Sequence, residues 1–224
     1  MSPETAKAPL GIFGGTFDPV HFGHLRLAEE AADVLGLRRV RWIPAGQPAL
    51  RDLPRVGPRQ RLDMARLAIA GNPRFELDPA EAGAPGPSYT VPTLERLRRP
   101  EVCGAEMPLV LLLGIDAFAG LAGWHRWERL FDLAHVAVAH RPGYPVDPGH
   151  LRPDLAAAFR QRFCEDHGEL AGAPAGRVTV FAMTPLDISA TRIRSLLQNG
   201  ESPRYLMPES VIAHIHQHRL YTEN

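Results

Sequence analysis

The residues best suited to chemistry lie in one short segment, GGTFDPVHFGH, which spans residues 14–24. Gly14 and Gly15 let the backbone approach a ligand closely and can present successive N–H groups to it. His21 and His24 are three residues apart, so they lie on one side of a helix that begins within the segment. The unpaired N–H groups and positive dipole end of that helix would point at the same place. The segment therefore predicts a pocket for negatively charged oxygens with two imidazoles beside it.

Other chemistry for this segment stays open from the residues alone. It contains neither GxGxxG nor GxxxxGK[ST], so it matches neither the dinucleotide fingerprint nor the P-loop. A zinc site is one alternative, with His21 and His24 as ligands and Asp18 as the nearby third ligand. A structural turn is another, in which the two histidines cap the helix.

A second group of polar residues lies near the end of the chain, in ISATRIR at 188–194. A helix N-terminus that carries Ser189 and Thr191, followed by the forked guanidinium of Arg194, suits a polyphosphate. The alternative is structural: Asp187 or Ser189 caps the helix and Arg194 is a surface residue.

The elements that position both groups follow from the apolar pattern. Strand-like and helix-like segments alternate, which predicts an α/β fold of the Rossmann-like type, an open and mostly parallel sheet with helices on both faces. Strands are predicted at 10–13, 40–43, 109–113, 136–139 and 178–181. Helices are predicted at 22–36, 59–70, 90–98, 124–134, 155–163, 189–198 and 208–218. In such a sheet ligands bind at the carboxyl ends of the strands, where segment 14–24 falls.

The first predicted helix has a clear apolar face. Its apolar residues recur at helical spacing, namely Leu25, Ala28, Ala32 and Leu35. The acidic residues Glu29, Glu30 and Asp33 lie off that face.

Composition narrows the class of protein. The 224 residues include 25 Lys plus Arg and 25 Asp plus Glu, a balance that argues against a broad electrostatic grip on nucleic acid or an anionic membrane. The two cysteines are far apart without CxxC, which fits a reducing compartment. No apolar run is long enough for a bilayer or a secretory signal. We expect a cytoplasmic protein with one domain over 1–224, a disordered leader at 1–8 and a small C-terminal helical part at 185–224.

Both motifs resemble those of a known superfamily. GGTFDPVHFGH is similar to the GxFDPxHxGH loop of the nucleotidyltransferases that carry the HxGH motif, and ISATRIR resembles their ISSTxIR motif, with Ala190 in place of the second serine. Intervening segments resemble the nicotinate-nucleotide adenylyltransferase family. They are SYTVPTL at 88–94, the GxD…W pattern of Gly114, Asp116 and Trp124, HRPG at 140–143 and HRLY at 218–221.

The resemblance implies a reaction in which nicotinate mononucleotide and ATP give nicotinate adenine dinucleotide and pyrophosphate. The 5′-phosphate of the mononucleotide would attack the α-phosphorus of ATP in line, without a protein nucleophile. Mg²⁺ would travel on the ATP phosphates with few or no protein ligands, so no metal-binding residue is predicted. Open alternatives are adenylyl transfer to nicotinamide mononucleotide or phosphopantetheine, and a nucleotide-sensing protein of the same fold without turnover. A homo-oligomer is also left open.

The same resemblance implies roles for the phosphate side. His24 is expected at the α-phosphate, His21 at the phosphates beside it, and Arg194 at the departing β and γ groups, and these three are the predicted catalytic residues. The predicted ATP contacts are Gly14, Gly15, Thr16, Phe17, Ser189 and Thr191.

On the pyridine side, backbone N–H groups of Tyr89 and Thr90 are expected to hold the nicotinate carboxylate. Asp116 is expected at the mononucleotide or its ribose, with a buried helix-capping role as the alternative. Trp124 is expected to stack on the pyridine ring, with core packing as the alternative.

One departure from the family pattern concerns the predicted loop at 45–58. The family often has PPHK there, whereas this chain has GQPALR at 46–51. Arg51 is therefore a candidate for a phosphate contact, as is Arg141 of the HRPG segment.

Overall fold

The computed structural model describes residues 7–49, 53–143 and 146–222. The strands in these ranges are β1 (Leu10–Gly15), β2 (Arg39–Pro44), β3 (Gln47–Pro48), β4 (Phe75–Leu77), β5 (Pro87–Ser88), β6 (Leu109–Gly114), β7 (His135–His140) and β8 (Val178–Ala182). The α-helices are α1 (Phe22–Val34), α2 (Pro58–Ile69), α3 (Thr90–Leu97), α4 (Ile115–Ala119), α5 (Leu130–Leu133), α6 (Pro153–Arg162), α7 (Ala190–Gln198) and α8 (Glu209–Gln217). Most of the predicted 1–8 leader lies outside the described residues.

Six strands form one parallel sheet in the order β4-β2-β1-β6-β7-β8. The chain runs outward from β1 in one direction through β2 and in the other through β6. A crevice therefore opens between β1 and β6 at their carboxyl ends, the usual ligand position in an open α/β sheet. The predicted fold class is confirmed. The sequence pattern missed β4 and the short parallel pair of β3 and β5.

Alternate strand residues face opposite cores, as the pleat requires. Phe13 and Leu112 pack with α1, α2, α7 and α8 on one face. Ile12 and Leu111 pack with α3, α4, α5 and α6 on the other. The prediction of helices on both faces is thus confirmed, and the C-terminal helices α7 and α8 share a core with α1.

The predicted helix at 124–134 is wrong in its first half. Short 3₁₀ turns occupy Leu121–Gly123 and Trp127–Arg129, and only Leu130–Leu133 is α-helical. Arg126 interrupts the pattern because its φ of 54° lies in the left-handed region, which a right-handed helix excludes. Leu130 and Phe131, which belong to that α-helical part, are buried.

Across the described part of the chain, no helix combines the length and apolar character needed to cross a bilayer.

Candidate active site at the carboxyl end of β1

The two imidazoles of the first motif lie against each other at the start of α1. His21 is the N-cap residue, and its backbone N–H donates to Nδ1 of His24 at 3.2 Å. The rings stack with centroids 3.8 Å apart. Because Nδ1 of His24 accepts this hydrogen bond, Nδ1 carries no hydrogen and the N–H of the imidazole is at Nε2. The prediction that both rings share one side of the helix start is confirmed, and so is a capping role for His24.

The helix N-terminus offers fewer N–H groups to a ligand than the sequence predicts. The N–H of Phe22 donates to the Leu206 carbonyl at 3.0 Å, and the N–H of His24 donates to the His21 carbonyl at 3.0 Å. The C-terminal part of the chain therefore uses one of these donors. Anion binding at this end must rely more on the imidazoles and the preceding loop.

Burial sets the protonation of His21. The side chain is 6% exposed, and its Nδ1 has no hydrogen-bond partner among the described residues. Burial lowers the pKa of His21 to about 4, so the ring is neutral near pH 7. A buried polar atom without a protein partner is expected to find one in a ligand or water.

Glycines allow the close packing around these rings. A Cβ on Gly23 would lie 3.1 Å from the His21 ring, and a Cβ on Gly15 would lie 2.8 Å from the Phe17 ring. Phe17 is buried beneath the loop, with its ring centroid 5.1 Å from that of His24 in an edge-on arrangement. Its side chain thus supports His24, and any ATP contact by Phe17 must come from its backbone. Gly14 is exposed and Thr16 partly exposed.

The Asp18 carboxylate accepts hydrogen bonds from two distant parts of the chain. Its Oδ1 accepts from the Tyr221 hydroxyl at 2.7 Å, and its Oδ2 accepts from the Arg55 N–H at 2.8 Å. Within the described ranges, no group of three or more His, Cys, Asp or Glu side chains could hold a metal ion. The zinc alternative therefore lacks its third ligand.

The second motif meets the first at this edge of the sheet. Arg194 donates through Nη1 to the backbone carbonyl of Asp18 at 2.8 Å and through Nη2 to Thr191 Oγ1 at 3.2 Å. Ser189 caps α7, because its Oγ accepts from the Arg192 N–H at 3.2 Å. The capping alternative for Ser189 is thus correct. The alternative of Arg194 as a plain surface residue is wrong, since the side chain is half-buried against the first loop.

The predicted pyridine-side residues lie at the start of α3, directly after β6 and after the 3₁₀ turn that follows α4. Tyr89 is the N-cap of α3, whose first residue is Thr90, as predicted. The Tyr89 ring lies against His125, with centroids 4.7 Å apart. Asp116 follows β6 in the first turn of α4 and is exposed, so the alternative of a buried cap is wrong.

Trp124 is half-buried and packs in part against the core formed with α3 to α6. The packing alternative is therefore correct for part of its surface, and the rest is accessible. Arg141 is exposed after β7, and its carbonyl contacts His140 Nδ1 at 3.0 Å. Arg51 lies outside the described residues.

Arg61 is a supporting residue that sequence reasoning missed. It is fully buried and donates to the carbonyls of Thr16, Ala45 and Gly46 at 2.7, 2.6 and 2.6 Å. One guanidinium thereby joins the loop after β1 to the loop after β2. The available signal is its position on α2, since Arg61 is in phase with the buried Met64 on the apolar face.

Glu30 is the other supporting residue that sequence reasoning missed, although it lies off the apolar face of α1. It is buried and accepts from the Thr184 N–H at 2.7 Å, the Thr184 hydroxyl at 2.5 Å and Arg26 Nε at 2.6 Å. Burial alone would raise the pKa of Glu30, but these hydrogen bonds outweigh it and lower the pKa. Glu30 ties the helix that carries His24 to the segment leading from β8 to α7.

The sequence of the chain is similar to those of known nucleotidyltransferases. Residues 12–196 match the cytidylyltransferase-like family. A Dechloromonas aromatica protein named probable nicotinate-nucleotide adenylyltransferase is 61% identical over 213 residues, 95% of this chain and 97% of its own. A protein of the same name from Halorhodospira halophila is 48% identical over 202 residues, 90% of each chain.

Solved structures show the same fold. Plasmodium falciparum nicotinic acid mononucleotide adenylyltransferase complexed with NaAD matches with a TM-score of 0.68 at 14% identity, over 96% of this chain and 97% of that chain. The bacterial relatives, which match over 90% or more of this chain, carry the name of the family that the two motifs beside β1 resemble. The chain belongs to the nicotinate-nucleotide adenylyltransferases of the cytidylyltransferase-like family.

Proposed function

We propose that this chain transfers the adenylyl group of ATP to nicotinate mononucleotide, giving nicotinate adenine dinucleotide and pyrophosphate in NAD biosynthesis. The observation that carries the proposal is the Arg194–Asp18 contact of 2.8 Å, which brings the two phosphate motifs together at one sheet edge. The relative that is 61% identical and carries this activity in its name supports the choice of acceptor.

On the phosphate side, His24 contacts the α-phosphate and His21 the phosphates beside it. The loop of Gly14, Gly15 and Thr16, which is exposed or partly exposed, borders the ATP together with the Phe17 backbone. Arg194, with Ser189 and Thr191 at the start of α7, faces the departing pyrophosphate. The neutral state of His21 means that it acts as a hydrogen-bonding group in the unliganded chain, without a positive charge.

The reaction needs alignment more than a nucleophile. The attacking phosphate is already an anion, so the protein must hold two mutually repelling groups in line. Positioning of this kind can lower a barrier by roughly 7–11 kcal/mol. One well-placed donor to developing charge contributes about 3–4 kcal/mol. The imidazoles, the loop and Arg194 therefore share the work.

Mg²⁺ enters this account as part of the ATP substrate. Mg²⁺ bound to a nucleotide usually keeps several waters and is held mainly by the phosphates, so an ion carried by ATP needs no protein metal site of its own.

On the pyridine side, the N–H groups at Tyr89 and Thr90 hold the nicotinate carboxylate at the start of α3. Asp116, exposed after β6, contacts the ribose, and the accessible part of Trp124 stacks on the pyridine ring. A site built for a carboxylate disfavours the amide, because the amide brings no charge to it.

An acceptor panel tests the proposal. The purified chain is given MgATP with nicotinate mononucleotide, nicotinamide mononucleotide or phosphopantetheine, and pyrophosphate release is measured. We expect turnover with nicotinate mononucleotide to exceed the other two by a wide margin. Equal turnover with the amide would refute the acceptor assignment, and ATP binding without pyrophosphate release would favour a nucleotide sensor.

Location and organisation are part of the proposal. We place the enzyme in the cytoplasm and treat residues 1–224 as one catalytic domain. The core that α7 and α8 share with α1 supports this organisation.

A further inference from the structure

The last turn of the described chain, at 219–221, packs against the first motif at 14–24. Tyr221 is 8% exposed, and its hydroxyl donates to Asp18 Oδ1 at 2.7 Å. Arg219 and Tyr221 have φ values of 50° and 63°, in the left-handed region that residues other than glycine rarely adopt. Such conformations persist only where surrounding contacts hold them, and they gather at functional sites. The backbone thus turns sharply to bring the Tyr221 ring into the interior.

Asp18 is the point at which three distant segments converge. Its carboxylate accepts hydrogen bonds from the Tyr221 hydroxyl and the Arg55 N–H. Its backbone carbonyl accepts a hydrogen bond from Arg194 Nη1 at 2.8 Å. We call these four residues the Asp18 cluster. Asp18 also lies only three residues before His21. A shift of Asp18 would therefore move both the imidazole pair and the Arg194 guanidinium.

We propose that Tyr221 is a positioning residue for adenylyl transfer, which acts by holding the Asp18 carboxylate so that the Asp18 carbonyl orients Arg194 toward the leaving pyrophosphate. The C-terminal turn is then part of the active-site support. The proposal rests on the proposed function and deepens it.

The hydrogen bond from Tyr221 to Asp18 does not depend on pH in the range used for assays. Burial, reinforced by the Asp18 carboxylate, raises the pKa of the Tyr221 hydroxyl well above its ordinary range. The hydroxyl therefore remains the donor at every pH at which the enzyme would be assayed. Arg61 is fully buried and donates to the Thr16 carbonyl at 2.7 Å, so a positive charge also supports this loop from within.

The test compares two tyrosines that differ in burial. Tyr221→Phe removes the buried hydroxyl, while Tyr205→Phe removes a hydroxyl from a side chain that is 89% exposed. We measure kcat per active site, KM for both substrates and the melting temperature. We expect Tyr221→Phe to lower kcat about tenfold, with KM for nicotinate mononucleotide unchanged within about twofold. Tyr205→Phe is expected to match the wild type.

A double-mutant cycle assigns the effect to Asp18. In an Asp18→Ala background, which leaves the Tyr221 hydroxyl without its acceptor, Tyr221→Phe should cause little further loss of kcat, because the pair acts as one unit. If Asp18→Ala does not fold, the comparison of the two tyrosine variants alone decides. Wild-type kcat in Tyr221→Phe, a lower melting temperature with kcat per active site intact, or equal losses in both backgrounds would overturn the inference. If the wild-type chain forms no nicotinate adenine dinucleotide, the proposed function fails, and this inference fails with it.

Discussion

The proposed phosphate side and the proposed pyridine side of the site differ in how far their residues are buried and bonded within the chain. On the phosphate side, Asp18 and His21 are buried, and segments from three parts of the chain bond to Asp18. On the pyridine side, Asp116 is exposed and Tyr89 makes a ring contact with the exposed His125. The first side is organised before substrate arrives, and such organisation favours the transition state. Under the proposed function, the second side would gain most of its contacts from the substrate.

This difference separates the expected kinetic effects. Changes on the phosphate side should lower kcat, because those contacts act on the reacting groups. Changes on the pyridine side should mainly raise KM for nicotinate mononucleotide, because those contacts hold a part of the substrate that does not react.

The largest effect is expected for His24→Ala. Loss of a donor to the α-phosphate should lower kcat at least about 100-fold. Steady-state pyrophosphate release measures it, and His150→Ala is the control because that side chain is 88% exposed. Near-normal kcat in His24→Ala would contradict the expectation that phosphate-side changes act on kcat and pyridine-side changes act on KM.

The buried His21 should make stability depend on pH. Its folded pKa of about 4 lies below the ordinary value near 6.5, so only the unfolded chain binds a proton between these values. The stability is present in full above pH 6.5 and is lost as the pH falls toward 4, by roughly 3 kcal/mol at full extent.

Urea unfolding at pH 7.5 and pH 4.5 measures this loss. His21→Asn should reduce the difference between the two pH values, whereas the exposed pyridine-side variant His125→Asn should keep it. Burial also lowers the pKa of His135, but that contribution is common to all the chains compared. An unchanged pH dependence in His21→Asn would contradict the buried neutral state.

Arg194→Lys tests the fork of the guanidinium. Lysine cannot reproduce both the Asp18 and Thr191 contacts, so kcat should fall about 30-fold with the charge retained. Arg160→Lys on the surface of α6 is the matched control. Full activity in Arg194→Lys would mean that charge alone is enough at this position.

Trp124→Ala should have the smallest effect of the series. We expect KM for nicotinate mononucleotide to rise about tenfold while kcat changes little, because stacking holds the ring that does not react. Trp127→Phe is the control for general packing near Phe131, whose ring centroid lies 6.1 Å from that of Trp127. A fall in kcat with unchanged KM would place Trp124 among the positioning residues.

Local pattern was enough for the main sheet and for the two motifs. The apolar run that forms β6 and the helical spacing of apolar residues in α1 indicate which side chains are buried, because the repeat of apolar residues matches the repeat of the strand or helix. The strand β4 was not predicted because Phe75–Leu77 is too short to show an alternation of apolar and polar residues. The helix predicted at 124–134 was wrong because no local sequence signal indicates the left-handed backbone of Arg126.

The supports of the site were less predictable because they depend on contacts across the chain. Tyr221 and Asp18 are 203 residues apart, and Glu30 and Thr184 are 154 residues apart. A carboxylate on a helix usually indicates a solvated face, and only the fold shows that Glu30 points at Thr184. Arg61 could have been suspected, since a charge on an apolar helix face needs buried partners.

A structure with a non-hydrolysable ATP analogue and nicotinate mononucleotide tests the central claim most directly. We predict that the α-phosphate lies within hydrogen-bonding distance of the His24 ring at the carboxyl end of β1, with Arg194 at the β and γ groups. An analogue bound elsewhere, with the turn between β1 and α1 vacant, would contradict the account.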